Sequence, residues 1–217
     1  MAKKRKIKYK NIFKLLFIVL LIIVIIKLLS LNITNIYISG NNTIKDIDII
    51  NIAKLSDYPK VIKVLNFNVE KRLKMDKRIY DAKVYKKFTK IYIEIVENRP
   101  LFYNSNTSHT VMLDGSLDDN IVTPYLLNYV PDTIYDSFVK AISLVNEDVL
   151  SRISEIEYKP NNVDDSRFYL KMNDGNYVYI TLYNFNKINN YIEMLKQFKN
   201  KKGILYLDSG EYFEIKN

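Results

Sequence analysis

His109 is the one imidazole in a chain of 217 residues that contains no cysteine. Thiolate metal sites, disulfides and cysteine nucleophiles are therefore excluded, and any histidine-based triad or metal site would have to be built on this residue. Ser105, Thr107, Ser108 and Thr110 bring hydroxyls near it, but such a run of Asn, Ser and Thr has the composition of a solvated loop. Asp118-Asp119 and Asp164-Asp165 are paired carboxylates of the kind that serve glycoside hydrolysis or calcium binding. Both adjoin turn residues and neither completes a twelve-residue calcium loop. The five glycines do not cluster, so no phosphate-cradling loop is present. The eighteen tyrosines could form a carbohydrate-stacking surface, but their β-rich spacing favours packing across strands. The expectation is no catalytic residue, no cofactor and no metal, in a protein that is not an enzyme. What remains is recognition, so the elements that would present a surface come next.

Charge is distributed unevenly. Lys3, Lys4, Arg5, Lys6, Lys8, Lys10 and Lys14 all precede Asp46, the first acidic residue. Taking those seven and Lys27 from the 33 basic residues leaves 25 against 24 acidic ones, so the rest of the chain is nearly neutral. A nucleic-acid binder carries its charge on the folded domain, and here it sits on a tail. Residues 12–31 follow, apolar except for Lys14, Lys27 and Ser30. Twenty residues of helix span about 30 Å, the thickness of a bilayer's hydrocarbon core, and both lysines lie near the ends where their side chains reach the headgroups. The basic flank places the amino end in the cytoplasm and residues 32–217 outside. A cleaved signal peptide is the rival reading; the length of the run and the lack of a small-x-small site after it favour an uncleaved anchor.

Beyond the anchor, residues 33–39 read as a strand ended by Gly40. Thr43 reads as an N-cap with Asp46 in the capping-box position, opening a helix with Ile44, Ile47, Ile50 and Ile52. A second helix over 69–76, capped by Asn68, leads to strands at 79–85 and 90–97 that pair as a hairpin. The order strand, helix, helix, strand, strand places the helices over one face of a sheet. From residue 101 the pattern gives extended segments around Asp114-Gly115, a helix from 132 to about 146, strands at 153–158, 168–172 and 177–182, and a turn at 173–176. A helix over 185–198, capped by Asn184, and a closing hairpin of 203–207 with 211–215 complete it.

The pieces Ile36-Tyr-Ile-Ser-Gly40-Asn-Asn, Ile79-Tyr-Asp-Ala-Lys-Val and Ile91-Tyr-Ile-Glu-Ile-Val-Glu97-Asn-Arg99-Pro100, following a basic tail and one span, resemble the POTRA domain of the FtsQ/DivIB family of bacterial cell division proteins. The family's proline in the last hairpin is replaced here by Lys86-Lys87-Phe88-Thr89-Lys90. Ser154-Glu-Ile-Glu-Tyr158, Met172-Asn-Asp-Gly175-Asn, Lys187-Ile-Asn-Asn-Tyr191 and Tyr206-Leu-Asp208-Ser-Gly210-Glu-Tyr-Phe213 extend the likeness to the second region. The fold class expected is α+β: a cytoplasmic basic tail (1–11), a transmembrane helix (12–31), a POTRA-type βααββ domain (32–100), and a sheet-rich β domain with two helices and a C-terminal β-hairpin (101–217).

The resemblance implies a non-enzymatic, single-pass protein of the divisome at the septum. Its second domain would bind partners of the FtsB/DivIC and FtsL type, with no nucleic acid and no small-molecule substrate. The family's partner region falls on Leu205, Tyr206, Leu207, Asp208, Gly210, Tyr212, Phe213, Glu214 and Ile215. As the last strand in the chain, this segment is expected at a sheet edge able to accept a partner strand. Two other readings stand beside this one. A membrane-anchored extracellular cell-wall enzyme requires convergent carboxylates or a nucleophile in a cleft, and a POTRA-bearing transport or assembly factor requires a barrel or channel after the domain.

Overall fold

The computed structural model describes residues 9–198 and 201–216, so the basic tail expected over 1–11 lies largely outside the described residues. Two compact units divide the chain, Met1–Asn98 and Arg99–Asn217.

The first unit opens with helix α1 (Tyr9–Leu29), whose stretch Ile12–Leu29 is long and apolar enough to cross a membrane and lies unburied. Strand β1 (Asn35–Ser39), helices α2 (Asp46–Ala53) and α3 (Asn66–Lys74), and strands β2 (Ile79–Lys87) and β3 (Lys90–Glu97) follow, with a 3-10 turn at Val61–Lys63. The sheet order is β1-β3-β2, with β1 parallel and β2 antiparallel to β3. Ile91, Ile93 and Ile95 alternate along β3, so all three fall on one face, where Ile49, Ala53, Val69 and Leu73 of the helices cover them. On the opposite face Tyr37, Tyr92 and Tyr85 stack as a ladder, each neighbouring pair of ring centroids 4.9 Å apart. Gly40 ends β1 at φ +85, where an added Cβ would lie 2.0 Å from the carbonyl oxygen of Ile95; only glycine fits there.

The second unit is a nine-stranded sheet. Its strands are β4 (Pro100–Asn104), β5 (His109–Met112), β6 (Leu117–Asp118), β7 (Tyr125–Leu126), β8 (Ile153–Tyr158), β9 (Arg167–Met172), β10 (Tyr177–Thr181), β11 (Gly203–Tyr206) and β12 (Tyr212–Ile215). They lie in the order β12-β11-β10-β9-β8-β7-β4-β5-β6. Helix α4 (Asp132–Ser143) packs over the middle through Phe138, stacked on Phe168 at 4.7 Å and close to Phe102 and Phe185. Helices α5 (Glu147–Leu150) and α6 (Tyr191–Gln197) complete the layer. Because the 3-10 stretch Leu182–Asn190 and α6 carry the chain back across the sheet, β11 adds parallel to β10, and the tight final turn makes β12 antiparallel to β11.

Several expectations are corrected. Thr43 does not cap α2: that helix starts at Asp46 behind Lys45, and the Thr43 hydroxyl binds Glu97 instead. Asn68 lies inside α3, which begins at Asn66. The helix expected to run to about 146 stops at Ser143, where Arg99 donates to the carbonyls of Ser143 and Val145 and holds the chain end away from another turn. The single helix expected over 185–198 is a 3-10 stretch with a kink at Asn184, followed by α6. The hairpin without proline closes on Phe88-Thr89, with Phe88 at φ +56.

Candidate interface at the carboxyl-terminal sheet edge

Strand β12 is the outermost strand at one end of the large sheet. Its hydrogen-bond parity follows from the bonds at its ends. Lys216 N–H donates to Lys202 O across the β11–β12 register, in which Ile204 faces Glu214 and Tyr206 faces Tyr212. On its other side, β11 directs the N–H of Leu207 to Tyr179 O and that of Gly203 to Asn176 Oδ1. Since N–H and C=O of one residue point the same way and alternate along an antiparallel strand, Tyr212 and Glu214 bond inward to β11, while Phe213 and Ile215 direct theirs away from the sheet. The small sheet treats its edge differently, for the Val84 N–H of β2 is covered by Glu70 Oε1 at 2.7 Å.

Side chains hold this edge in place. Phe213 turns inward and stacks on Phe198, with centroids 4.3 Å apart. Beneath it lies Gly203, where a Cβ would meet Glu214 O at 2.0 Å and the Phe213 ring at 2.9 Å. The turn after β11 is fastened by Asp208: one carboxylate oxygen accepts from Arg167 Nε at 2.6 Å, the other from the Ser209 N–H at 2.8 Å. Both side chains of that ion pair are largely buried, and the Arg167 guanidinium lies 3.7 Å over the Tyr179 ring. On the outer face a tyrosine row runs across four strands. Tyr177 and Tyr179 both contact Tyr169, Tyr179 stacks on Tyr206 at 5.4 Å, and Tyr206 stacks on Tyr212 at 4.5 Å. A hydrogen bond to Glu214 pushes the Tyr206 hydroxyl up to about 12, with burial adding to the rise. Lys187 pairs with Glu211 at 2.7 Å just before β12.

The nine residues assigned to a partner region by sequence do share the β11–turn–β12 hairpin, but they divide in kind. Leu205 and Leu207 are core side chains, 2% and 0% exposed. The Asp208 carboxylate is taken by Arg167 and Ser209. Tyr206, Gly210, Tyr212, Phe213, Glu214 and Ile215 retain accessible surface. Sequence reading missed Arg167, Tyr179 and Asn176. The alternation of Tyr177 and Tyr179 marks an outer face, but only the register shows that Tyr206 and Tyr212 continue it. Asn176 and Asp174 belong to the turn at 173–176; Asp174 accepts from the buried Tyr191 hydroxyl, whose pKa is raised chiefly by burial, and Asn176 accepts from Gly203. Two stretches quoted for the resemblance, Met172-Asn-Asp-Gly175-Asn and the one ending at Tyr191, thus meet where β11 begins.

The residues weighed for chemistry are used locally. His109 Nδ1 lies 3.1 Å from the exposed Asp119. Asp118 and Asp164 accept backbone N–H groups two residues on, from Asn120 and Ser166, closing turns. Among the described residues no three His, Cys, Asp or Glu side chains converge as metal ligands.

Residues 31–98 match the family model described as the POTRA domain, FtsQ-type. The cell division protein DivIB of Bacillus subtilis (strain 168) is 28% identical over 224 residues, spanning 98% of this chain and 84% of that protein. DivIB of Listeria monocytogenes is 27% identical over 98% of this chain and 83% of its own. The major extracytoplasmic domain of DivIB from Geobacillus stearothermophilus aligns with 48% of this chain and 95% of that one, at 22% identity and a TM-score of 0.39. The resemblance read from the sequence is borne out.

Proposed function

From a chain related along almost its whole length to the DivIB cell division proteins, we infer a role in bacterial cell division carried out by binding and not by catalysis. The protein is a single-pass membrane protein with its basic tail (1–11) inside, a span at 12–31, and the POTRA domain (32–100) and β domain (101–217) outside, acting at the division septum. It links other single-pass division proteins of the FtsB/DivIC and FtsL type. The observation that carries this reading is the orientation of β12, whose Phe213 and Ile215 amides face away from the sheet at its edge. An extended partner segment adds there as a further strand, bonded through the backbone and flanked by Tyr212 and Glu214.

Proline substitution in the full-length detergent-solubilised protein tests this, with unfolding and partner binding measured separately. Ile215→Pro removes an outward N–H from an exposed position and should weaken binding of FtsB/DivIC-type partners about tenfold or more, with little change in melting temperature. Glu214→Pro removes an inward N–H and should lower the melting temperature of the β domain. Wild-type affinity in Ile215→Pro rejects strand addition at this edge.

A further inference from the structure

In the first unit, three segments meet just beyond α1. Val61 N–H donates to Leu31 O, two residues past the helix, at 2.9 Å. Ile33 N–H donates to Pro59 O, and Thr34 N–H to Thr89 O at 2.9 Å. Lys86 ties the two loops together by donating its ammonium to the carbonyls of Val61 and Val64. Four residues separate Leu29 from Thr34, and the five steps between them cover at most roughly 18 Å when fully extended. The loops 59–63 and 86–90 are therefore held close to the point where α1 ends.

Their composition is not what folding asks for. Phe88 occupies the left-handed region at φ +56, where Gly or Asn closes a two-residue turn without strain, and its ring is 65% exposed. Ile62 is 52% exposed on a 3-10 turn whose Val61 and Val64 already fill the core. The same two loops carry Lys60, Lys63, Lys87 and Lys90, all exposed, with the Lys87 ammonium near the Tyr85 and Tyr92 rings, and the acidic Asp57 precedes the first loop. Exposed apolar side chains ringed by lysine are the composition of a lipid–water interface.

We propose that this end of the first unit seats on the bilayer that α1 spans, with Phe88 and Ile62 entering the headgroup layer and the four lysines pairing with the phosphates of anionic lipid. The domain would then be fixed in height and tilt over the membrane instead of swinging on the link at 30–34. This rests on α1 being a membrane span, and the experiment separates the two. The chain has no tryptophan, so a single introduced Trp reports its own surroundings. Full-length Phe88→Trp, reconstituted in phosphatidylcholine–phosphatidylglycerol vesicles with brominated acyl chains, should show blue-shifted and quenched emission. Phe17→Trp in α1 should be quenched strongly, and neither reporter should lose emission in the same vesicles made without bromine. Reversing Lys60, Lys63, Lys87 and Lys90 to Glu, or omitting phosphatidylglycerol, should reduce the Phe88→Trp quenching at least about threefold. Ile62→Trp serves as the reporter if Phe88→Trp does not fold. Quenching at Phe17→Trp without quenching at either loop overturns the seating while leaving the span intact. No quenching at any position removes both. A blue shift that appears in detergent without lipid and grows with protein concentration assigns the patch to a second copy of the chain and likewise overturns it.

Discussion

Glu97 shows what a single carboxylate can do for this fold. It accepts from the N–H groups of Asn42, Thr43 and Ile44 and from the Thr43 hydroxyl, so the loop after Gly40 is wrapped around one acidic side chain from the end of β3. Partial burial pushes its pKa up, but the bonds from Ile44, Thr43 and Asn42 outweigh it and hold the group below the ordinary carboxylate value. A depressed folded-state pKa contributes stability that is present above the unfolded-state value and is lost as pH falls through the folded one. Glu97→Gln should therefore destabilise the first unit by about 1–3 kcal/mol at neutral pH, with the gap to wild type closing below about pH 4. Urea unfolding at pH 7 and pH 3 measures it, and an unchanged gap at pH 3 would place the effect elsewhere. The sequence shows Glu97 only as a member of a motif. It suggests instead that Thr43 and Asp46 form a capping box, because local spacing cannot reveal an acceptor arriving from more than fifty residues away.

Among the elements, β3 was legible to the residue, since strict alternation of Ile91, Ile93 and Ile95 with other residues leaves one register that buries the apolar set. The bounds of β8 were legible too, but not the register shift between Ile153 and Glu155 that lets Ile153 and Ile156, three residues apart, both be buried. Strand β7 was not: two residues paired in parallel to β4 and β8 carry no periodicity of their own. The stretch 182–197 hid its break for a similar reason, because Ile188, Ile192 and Leu195 keep helical spacing through a 3-10 turn. That β12 would be an edge strand was expected from its place in the chain, whereas the parity of its amides needed the Lys216–Lys202 bond. Gly203 sets how closely β12 approaches β11. Gly203→Ala places a methyl group against the Glu214 carbonyl, and should cost the β domain about 1–3 kcal/mol and weaken partner binding by displacing the strand. Calorimetry of the variant checks the first effect; an unshifted melting temperature would mean the hairpin has slack that the packing around Phe213 does not suggest.

For the molecule as a whole, the proposal places the first eleven residues and the two folded units on opposite sides of a membrane. Because the native chain has no cysteine, Ala2→Cys and Asn106→Cys can each be probed in intact cells with an impermeant thiol reagent. Asn106→Cys should label and Ala2→Cys should label only after lysis, and the reverse pattern would invert the topology. The span was legible because one uninterrupted apolar run of this length has few other uses, while the proposed partner edge was legible only through the family resemblance. Its physical basis is a backbone edge, and backbone groups leave no trace in side-chain chemistry. The most direct measurement is therefore amide hydrogen exchange at β12, residue by residue by NMR, in the free protein and bound to an FtsB/DivIC-type partner. In the free protein the Tyr212 and Glu214 amides should exchange slowly and those of Phe213 and Ile215 fast; on binding, Phe213 and Ile215 should become protected while the other two change little. If Phe213 and Ile215 exchange at the same rate with the partner bound as without it, the partner does not add a strand at this edge and the account of the interface fails.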